Sequence, residues 1–350
     1  MRRPLPAFVH ANYKLTDRWA VSGGLRYTDE NKTNTFVHIN QIVVDRPLRF
    51  GDSRTDFKVG LDFKATDDLF LYGQIASGFR SPGSTPRIST VGQLQSITGE
   101  EVINYEVGAK IELFDKMLRL NTAVFYMDYD PRLFQTIATQ CNEATNPDPG
   151  PPYFLGGGNC PAGTPLQDTV GISPWFYYAS VPATVEGFEL EASAFPIDNL
   201  AINFSVGYNR TKVDVDSPTI TGYQHSSVRT QPEWNMSGGL QYGIELGDVG
   251  RITPRIDAFY QSHRTNGPIN LRQREPDWII GGYTIYNARV AYETADREWE
   301  VALSGTNLTD KFYWQQLAAA TTSTGAITPG RAGTPGRPRE WAITLKKAFK

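Results

Sequence analysis

Leu200-Ala201-Ile202-Asn203-Phe204-Ser205-Val206-Gly207-Tyr208-Asn209 alternates without interruption between large apolar side chains and small or polar ones. In an extended chain, successive side chains point to opposite faces of the sheet. Leu200, Ile202, Phe204, Val206 and Tyr208 therefore share one face, and Ala201, Asn203, Ser205, Gly207 and Asn209 share the other. The stretch is long for a soluble strand, where ~5–6 residues is usual. It matches the ~9–11 residues with which a tilted strand crosses a bilayer. Pro196-Ile197-Asp198-Asn199 precedes it and reads as a tight turn.

Working outward, the same period recurs. Leu118, Leu120, Thr122, Val124 and Tyr126 separate from Arg119, Asn121 and Ala123; Tyr105, Val107, Ala109, Ile111 and Leu113 separate from Asn104, Glu106, Gly108, Lys110 and Glu112. Trp299, Val301 and Leu303 oppose Glu298, Glu300, Ala302 and Ser304. Further short turns stand at Thr16-Asp17-Arg18, Thr66-Asp67-Asp68, Phe114-Asp115-Lys116, Gly247-Asp248-Val249-Gly250 and Ala295-Asp296-Arg297. Between hairpins run long polar connections rich in Gly and Pro. Tight turns at one end and long loops at the other is the layout of an outer-membrane β-barrel. The pattern predicts thirteen strands, near 5–14, 19–31, 53–64, 69–80, 102–113, 117–138, 174–195, 199–214, 232–246, 250–264, 282–294, 298–313 and 339–349. Tyr13, Trp19, Tyr27, Tyr126, Tyr208, Trp234, Tyr242, Tyr292 and Trp341 close apolar rows, as girdles at the two water boundaries do.

Composition agrees. Mean hydropathy is −0.38, and no run of 18 apolar residues appears. A barrel needs no such run, because half of each strand faces a polar interior. The net charge of −3 comes without a basic block, which argues against nucleic acid as a partner. A soluble β-sandwich or β-helix also alternates, but Glu106, Lys110, Glu112, Glu189 and Glu191 would be hard to place inside its dry core.

Several segments resemble the C-terminal barrel of TonB-dependent outer-membrane receptors. Leu15-Thr16-Asp17-Arg18-Trp19 with Gly24-Leu25-Arg26-Tyr27 is similar to the family's turn and following strand. So are Leu71-Tyr72 through Gly78-Phe79-Arg80-Ser81-Pro82, Asn104-Tyr105-Glu106-Val107-Gly108-Ala109-Lys110 with Val124-Phe125-Tyr126, and Val185-Glu186-Gly187-Phe188-Glu189-Leu190-Glu191. Asn307-Leu308-Thr309-Asp310-Lys311-Phe312-Tyr313 completes the series in the family's order. The last strand, with Trp341, Ile343, Leu345 and Phe349 alternating, resembles the terminal signal read by the barrel-assembly machinery; Lys347 on the outward row and Lys350 depart from it.

The resemblance implies a Gram-negative outer-membrane protein with a 22-stranded barrel closed by a plug domain. Residues 1–350 then read as the C-terminal part of such a barrel, with plug domain and secretory signal absent. Thirteen antiparallel strands cannot close on themselves by an antiparallel pair, which independently predicts an incomplete barrel. The implied function is energy-coupled import of a bulky nutrient, foremost a ferric siderophore. The implied partners are outer-membrane lipid, the ligand, the barrel-assembly machinery, and TonB through the plug region only. A plugless diffusion pore and a surface adhesin or structural barrel are the alternatives. No catalytic motif, metal site or cofactor is expected.

Specificity is expected in the long loops. Arg80 and Arg87 lie at the top of one hairpin, and Arg229, Arg264, Arg272 and Arg274 in two others; guanidinium groups there would pair with anionic chelates. Trp175-Phe176-Tyr177-Tyr178 offers rings for stacking on an aromatic or sugar ligand, with a girdle as the simpler reading. His38, His225 and His263 fall in loops but match no metal spacing. Cys141 and Cys160, the only cysteines, sit in the longest loop, 139–173, and are expected to form a disulfide; no His lies beside them to favour a metal site.

Overall fold

In the computed structural model the described residues are 6–35, 37–38, 41–42, 48–84, 96–138, 175–213, 231–265, 279–321 and 327–349, without the side chains of 37–38, 41–42, 134–138, 175–179, 318–321 and 327–332. Thirteen antiparallel strands form one sheet in chain order: β1 (Ala7–Lys14), β2 (Trp19–Asn34), β3 (Leu48–Lys64), β4 (Leu69–Arg80), β5 (Glu100–Leu113), β6 (Leu118–Ala138), β7 (Trp175–Ala194), β8 (Leu200–Val213), β9 (Trp234–Tyr242), β10 (Gly250–Gln261), β11 (Tyr283–Thr294), β12 (Trp299–Thr306) and β13 (Glu340–Lys347). Among the described residues the outer edges of β1 and β13 have no partner strand.

The short turns hold one end of every hairpin for local reasons. Thr16 Oγ1 accepts from the backbone N–H groups of Arg18 and Trp19 at 3.2 and 3.0 Å. Between β5 and β6, Asp115 (φ 53°) and Lys116 (φ 69°) are both left-handed, and Met117 N donates to Phe114 O at 3.0 Å. That is the type I′ turn, whose twist matches flanking strands. After β9 the turn ends on Gly250 at φ 136°, where a Cβ would lie 2.1 Å from Glu293 O. Only glycine fits there.

Register carries the alternation around the sheet. One outward row runs Tyr13, Val21, Leu61, Gly73, Val107, Val124, Phe188, Tyr208, Trp234. It starts beside the short-turn end of β1 and finishes at the long-loop end of β9, so the strands are tilted and staggered as closure into a barrel requires. Another runs Ile202, Leu240, Ile256, Ala288, Gly305, Trp341. These side chains are not covered: Val107 is 64%, Val124 59%, Ile256 50% and Trp341 62% exposed. Water would not tolerate such a continuous apolar wall, whereas lipid does. Among the described residues no second layer of strands packs on it, which removes the sandwich alternative for them.

The sequence misjudged some ends. Strand β12 stops at Thr306 rather than near 313, because Asn307 (φ 48°) and Asp310 (φ 51°) turn the chain sharply. The connection that follows is not irregular: Trp314–Thr321 pairs with Ile327–Pro335 as a two-stranded ribbon. Shorter ribbons occur at Val37–His38 with Gln41–Ile42, Gly83–Ser84 with Ser96–Ile97, and Arg264–Thr265 with Ile279–Ile280. The strand expected over 232–246 breaks after Tyr242, with Ile244–Glu245 pairing separately on β10. Register sets Pro254 opposite Tyr242, and proline has no N–H for the ladder.

Candidate functional site

The inner face is built from the other half of each strand. One inner row reads Asp62, Tyr72, Gly108, Ala123, Glu189, Gly207, Asn235, Gln261, Tyr283. Glu106 gathers its neighbours: Tyr72 Oη donates to Oε1 at 2.9 Å, Gln74 Nε2 to the same oxygen at 3.0 Å, and Asn104 Nδ2 to Oε2 at 3.5 Å. The Tyr72 ring lies across Gly108, where a Cβ would come within 2.4 Å of it. Phe125 is seated on Gly187 in the same way, with its ring 2.7 Å from a Cβ placed there. The glycines of two of the motifs are thus seats for inner-face aromatics.

Charges on this face pair with one another. Arg255 binds Asp257 (Nε to Oδ2, 2.8 Å) and Asn203 Oδ1 (3.1 Å); Arg289 meets Glu300 at 2.7 Å and Arg119 meets Glu112 at 3.2 Å. In a wet interior such half-exposed pairs cost little and also stabilise little. The described inner face is thus polar, and these charges are paired locally.

At the long-loop end the sequence-derived candidates divide. Arg80 is present on the inner row but already pairs with Glu100 at 3.3 Å, and Glu100 also accepts from Leu133 N at 2.7 Å. Arg264 donates to the carbonyl of Gln315, and His263 beside it is exposed. Trp175, Tyr177 and Tyr178 open β7 opposite Ala138, Thr136 and Gln135, with side chains outside the described set. Arg87, His225, Arg229, Arg272, Arg274, Cys141 and Cys160 lie outside the described residues. Of the proposed ligand arginines only Arg80 and Arg264 are among the described residues, and they stand on different hairpins. Trp341, Ile343 and Leu345 form the outward row of β13, and Lys347 Nζ sits 4.7 Å from the Trp299 ring centroid and 5.4 Å from that of Phe349. The cation that departs from the pattern is accommodated by rings at the short-turn boundary.

Two groupings at this end escaped the sequence reading. Tyr283 stacks on Tyr313 with ring centroids 4.2 Å apart, near Phe259 at 6.3 Å, and its hydroxyl donates to Gln261 at 3.1 Å. Ser81 donates to Glu30 at 2.5 Å and also meets Lys32. Strand parity alone puts Phe259 and Gln261 on one face, and register with β11 brings Tyr283 to it; nothing in the sequence links Ser81 to residues some fifty positions earlier.

Comparison with known proteins fits this geometry. Residues 3–308 match the family described as TonB dependent receptor-like, beta-barrel. The ferric-pyoverdine M114 receptor PbuA of Pseudomonas sp. (strain M114) is 28% identical over 299 residues, covering 83% of this chain and 29% of that protein. The pesticin receptor of Yersinia enterocolitica is 32% identical over 129 residues, 35% of this chain and 18% of its own length. Among solved structures, the ferric yersiniabactin uptake receptor FyuA from Yersinia pestis aligns with a TM-score of 0.73 at 16% identity, over 99% of this chain and 46% of that one. The copper transporter OprC aligns at 0.67 and 16% identity, over 99% and 49%. The chain thus spans less than half the length of these proteins. By sequence match over most of its length, it belongs to the TonB-dependent receptor β-barrel family.

Proposed function

We propose that the chain forms part of the wall of an outer-membrane importer driven through TonB, and that its cargo is a ferric siderophore. The observation that carries this reading is the two-sided wall: apolar rows outward around every strand, a hydrophilic, internally paired face inward. Relatives named for ferric-pyoverdine and ferric yersiniabactin uptake support the iron chelate as cargo. Residues 1–350 supply the C-terminal part of the barrel, and coupling to TonB runs through a plug region that the barrel surrounds. Trp341, Ile343, Leu345 and Phe349 present the terminal strand to the assembly machinery. Transport breaks no bond, so no residue is assigned a catalytic role.

Ligand capture falls to the long-loop end. Arg80, Arg87, Arg229 and Arg264 supply positive charge, Trp175, Tyr177 and Tyr178 supply rings, and His225 and His263 supply further polar contacts. A Cys141–Cys160 disulfide would close about 20 residues, worth roughly 3 kcal/mol of chain entropy, and limit the ordering cost on binding. The test is uptake of radioactive iron, supplied as ferric pyoverdine, ferric yersiniabactin or ferric citrate, by iron-starved cells with and without the intact gene. TonB-dependent uptake of at least one chelate is expected. Uptake that persists without TonB, together with steady conductance in planar bilayers, would instead make the protein a diffusion pore.

A further inference from the structure

The outward face is not evenly filled. Three of its rows cross β8 to β11: Val206–Met236–Tyr260–Thr284 towards the long loops, then Phe204–Gly238–Ala258–Tyr286, then Ile202–Leu240–Ile256–Ala288. In the middle row two small residues stand side by side between two rings. Neighbouring strands lie ~4.8 Å apart, so the strands that carry Phe204 and Tyr286 are about 14 Å apart. Between them runs a trough of about 340 Å³, floored by Gly238 and Ala258, flanked by Phe204 and Tyr286, and bounded towards the short turns by Leu240 and Ile256. That is more than twice the roughly 150 Å³ of an apolar cavity that stays dry and takes up benzene.

The chain does not fill this space itself. Gly305, outward on β12, is covered by its own neighbours: a Cβ there would come within 2.6 Å of the Trp341 ring and 2.7 Å of Leu308. A Cβ on Gly238 would meet nothing nearer than the Asn203 carbonyl at 3.6 Å and the Phe204 ring at 3.7 Å, both ordinary contacts. The trough is also two-ended. Towards the long loops Tyr260, Thr284 and Tyr286 bring three hydroxyl groups together, and none of them has a hydrogen-bond partner among the described residues. Towards the short turns only Leu240, Ile256 and Ala288 follow. A water inside would find too few polar partners to stay.

We infer that this trough is a binding groove for one acyl chain of an outer-leaflet lipid. The chain lies over Gly238 and Ala258, and the ester or amide carbonyl at its head accepts hydrogen bonds from the hydroxyls of Tyr260 and Tyr286. The trough is continuous on both sides with the apolar rows that face lipid, so what covers those rows also reaches its floor. Phenols at the water boundary with an apolar run beneath them match the two ends of such a lipid. The inference rests on the outward face lying in the membrane and is independent of the cargo.

The test places the full chain in phosphatidylcholine vesicles containing a phosphatidylcholine with a photoactivatable diazirine midway along one acyl chain. Labelled residues are read by peptide mass spectrometry. Residues of the trough should be labelled several-fold more than Val107 and Val124, which stand on the same outward face. Gly238→Leu with Ala258→Leu fills the floor and should bring the trough down to the level of those rows. Tyr260→Phe with Tyr286→Phe removes the hydroxyls and should spread the label along the trough; an unchanged pattern overturns their anchoring role. Even labelling of every outward row overturns the groove but leaves the lipid-facing wall standing, whereas no label on any outward row sinks both. A purified protein that is dimeric, and becomes monomeric on Gly238→Leu, would give the trough to a second copy instead. The comparison of rows within the parent protein needs no substitution, so a variant that fails to fold leaves the test decisive.

Discussion

Asn307 is the residue on which the last connection turns. Only 2% exposed, it accepts from Lys311 N at 2.8 Å and donates through Nδ2 to Lys311 O at 2.9 Å and Arg337 O at 3.0 Å, while its own N–H reaches Asn287 at 3.0 Å. Asp310 adds a bond from Arg339 N at 2.9 Å, and Tyr313 rests on Gly336. The motif around Asn307 is thus a knot tying the start of β13 to β11 and β12. Asn307→Ala leaves buried groups unpaired and should cost roughly 2–4 kcal/mol, read as a lower urea midpoint for the membrane-embedded protein; a loss under about 1 kcal/mol would show the knot to be dispensable. Glu30 lies above the apolar band, which ends on β2 at Tyr27. The Ser81 hydroxyl holds its carboxyl below the usual range, against a smaller opposing effect of burial and with help from Lys32; Asp52 faces it across the ladder. A depressed carboxylate stabilises the fold at pH above the ordinary value of about 4.3, and the contribution is lost as pH falls through the lower folded value. In labelled protein the Glu30 carboxyl carbon should titrate below the free-peptide midpoint, and Ser81→Ala should raise that midpoint.

For a whole strand, one residue of register decides which solvent a side chain meets. Val206 and Ser205 are neighbours on β8, yet Val206 faces out in register with Leu190 and Met236, and Ser205 faces in, 2.8 Å from Ser237 Oγ. Val206→Arg should therefore cost roughly 2–4 kcal/mol in a bilayer. Ser205→Arg should cost about 1 kcal/mol, the worth of the hydrogen bond lost. Equal effects would contradict the assignment of faces. The period of two was enough to read these faces, and it placed most strand ends within a few residues. It failed where proline or a left-handed turn cut a strand, as at Pro254 and Asn307, because hydrophobic alternation does not report backbone donors or φ.

Across the molecule, the short-turn end is a set of small local solutions, while the long-loop end carries the variety. The β6–β7 connection, 139–173, is the longest, and we expect it to take part in ligand capture. Its deletion should lower radioactive-iron uptake at limiting chelate at least several-fold while leaving the barrel folded on gels run without heating; unchanged uptake would remove that loop from the binding reading. Sequence reading chose arginines here by type. The fold adds what type cannot give, the neighbours of each guanidinium: Glu100 beside Arg80 and the Gln315 carbonyl beside Arg264. Those neighbours come from other strands and connections, so no local pattern names them.

The amino-acid sequence by itself determined the strand faces and the short-turn and long-loop ends, because a repeat of two and tight-turn chemistry are local properties of the chain, while the family entered through the resemblance of short motifs. Only the tertiary structure decided that motif glycines are seats for Tyr72 and Phe125, that Asn307 ties three strands, and that Ser81 meets Glu30 and Lys32. Those facts depend on register between strands and on contacts across tens of residues, and no local pattern encodes them.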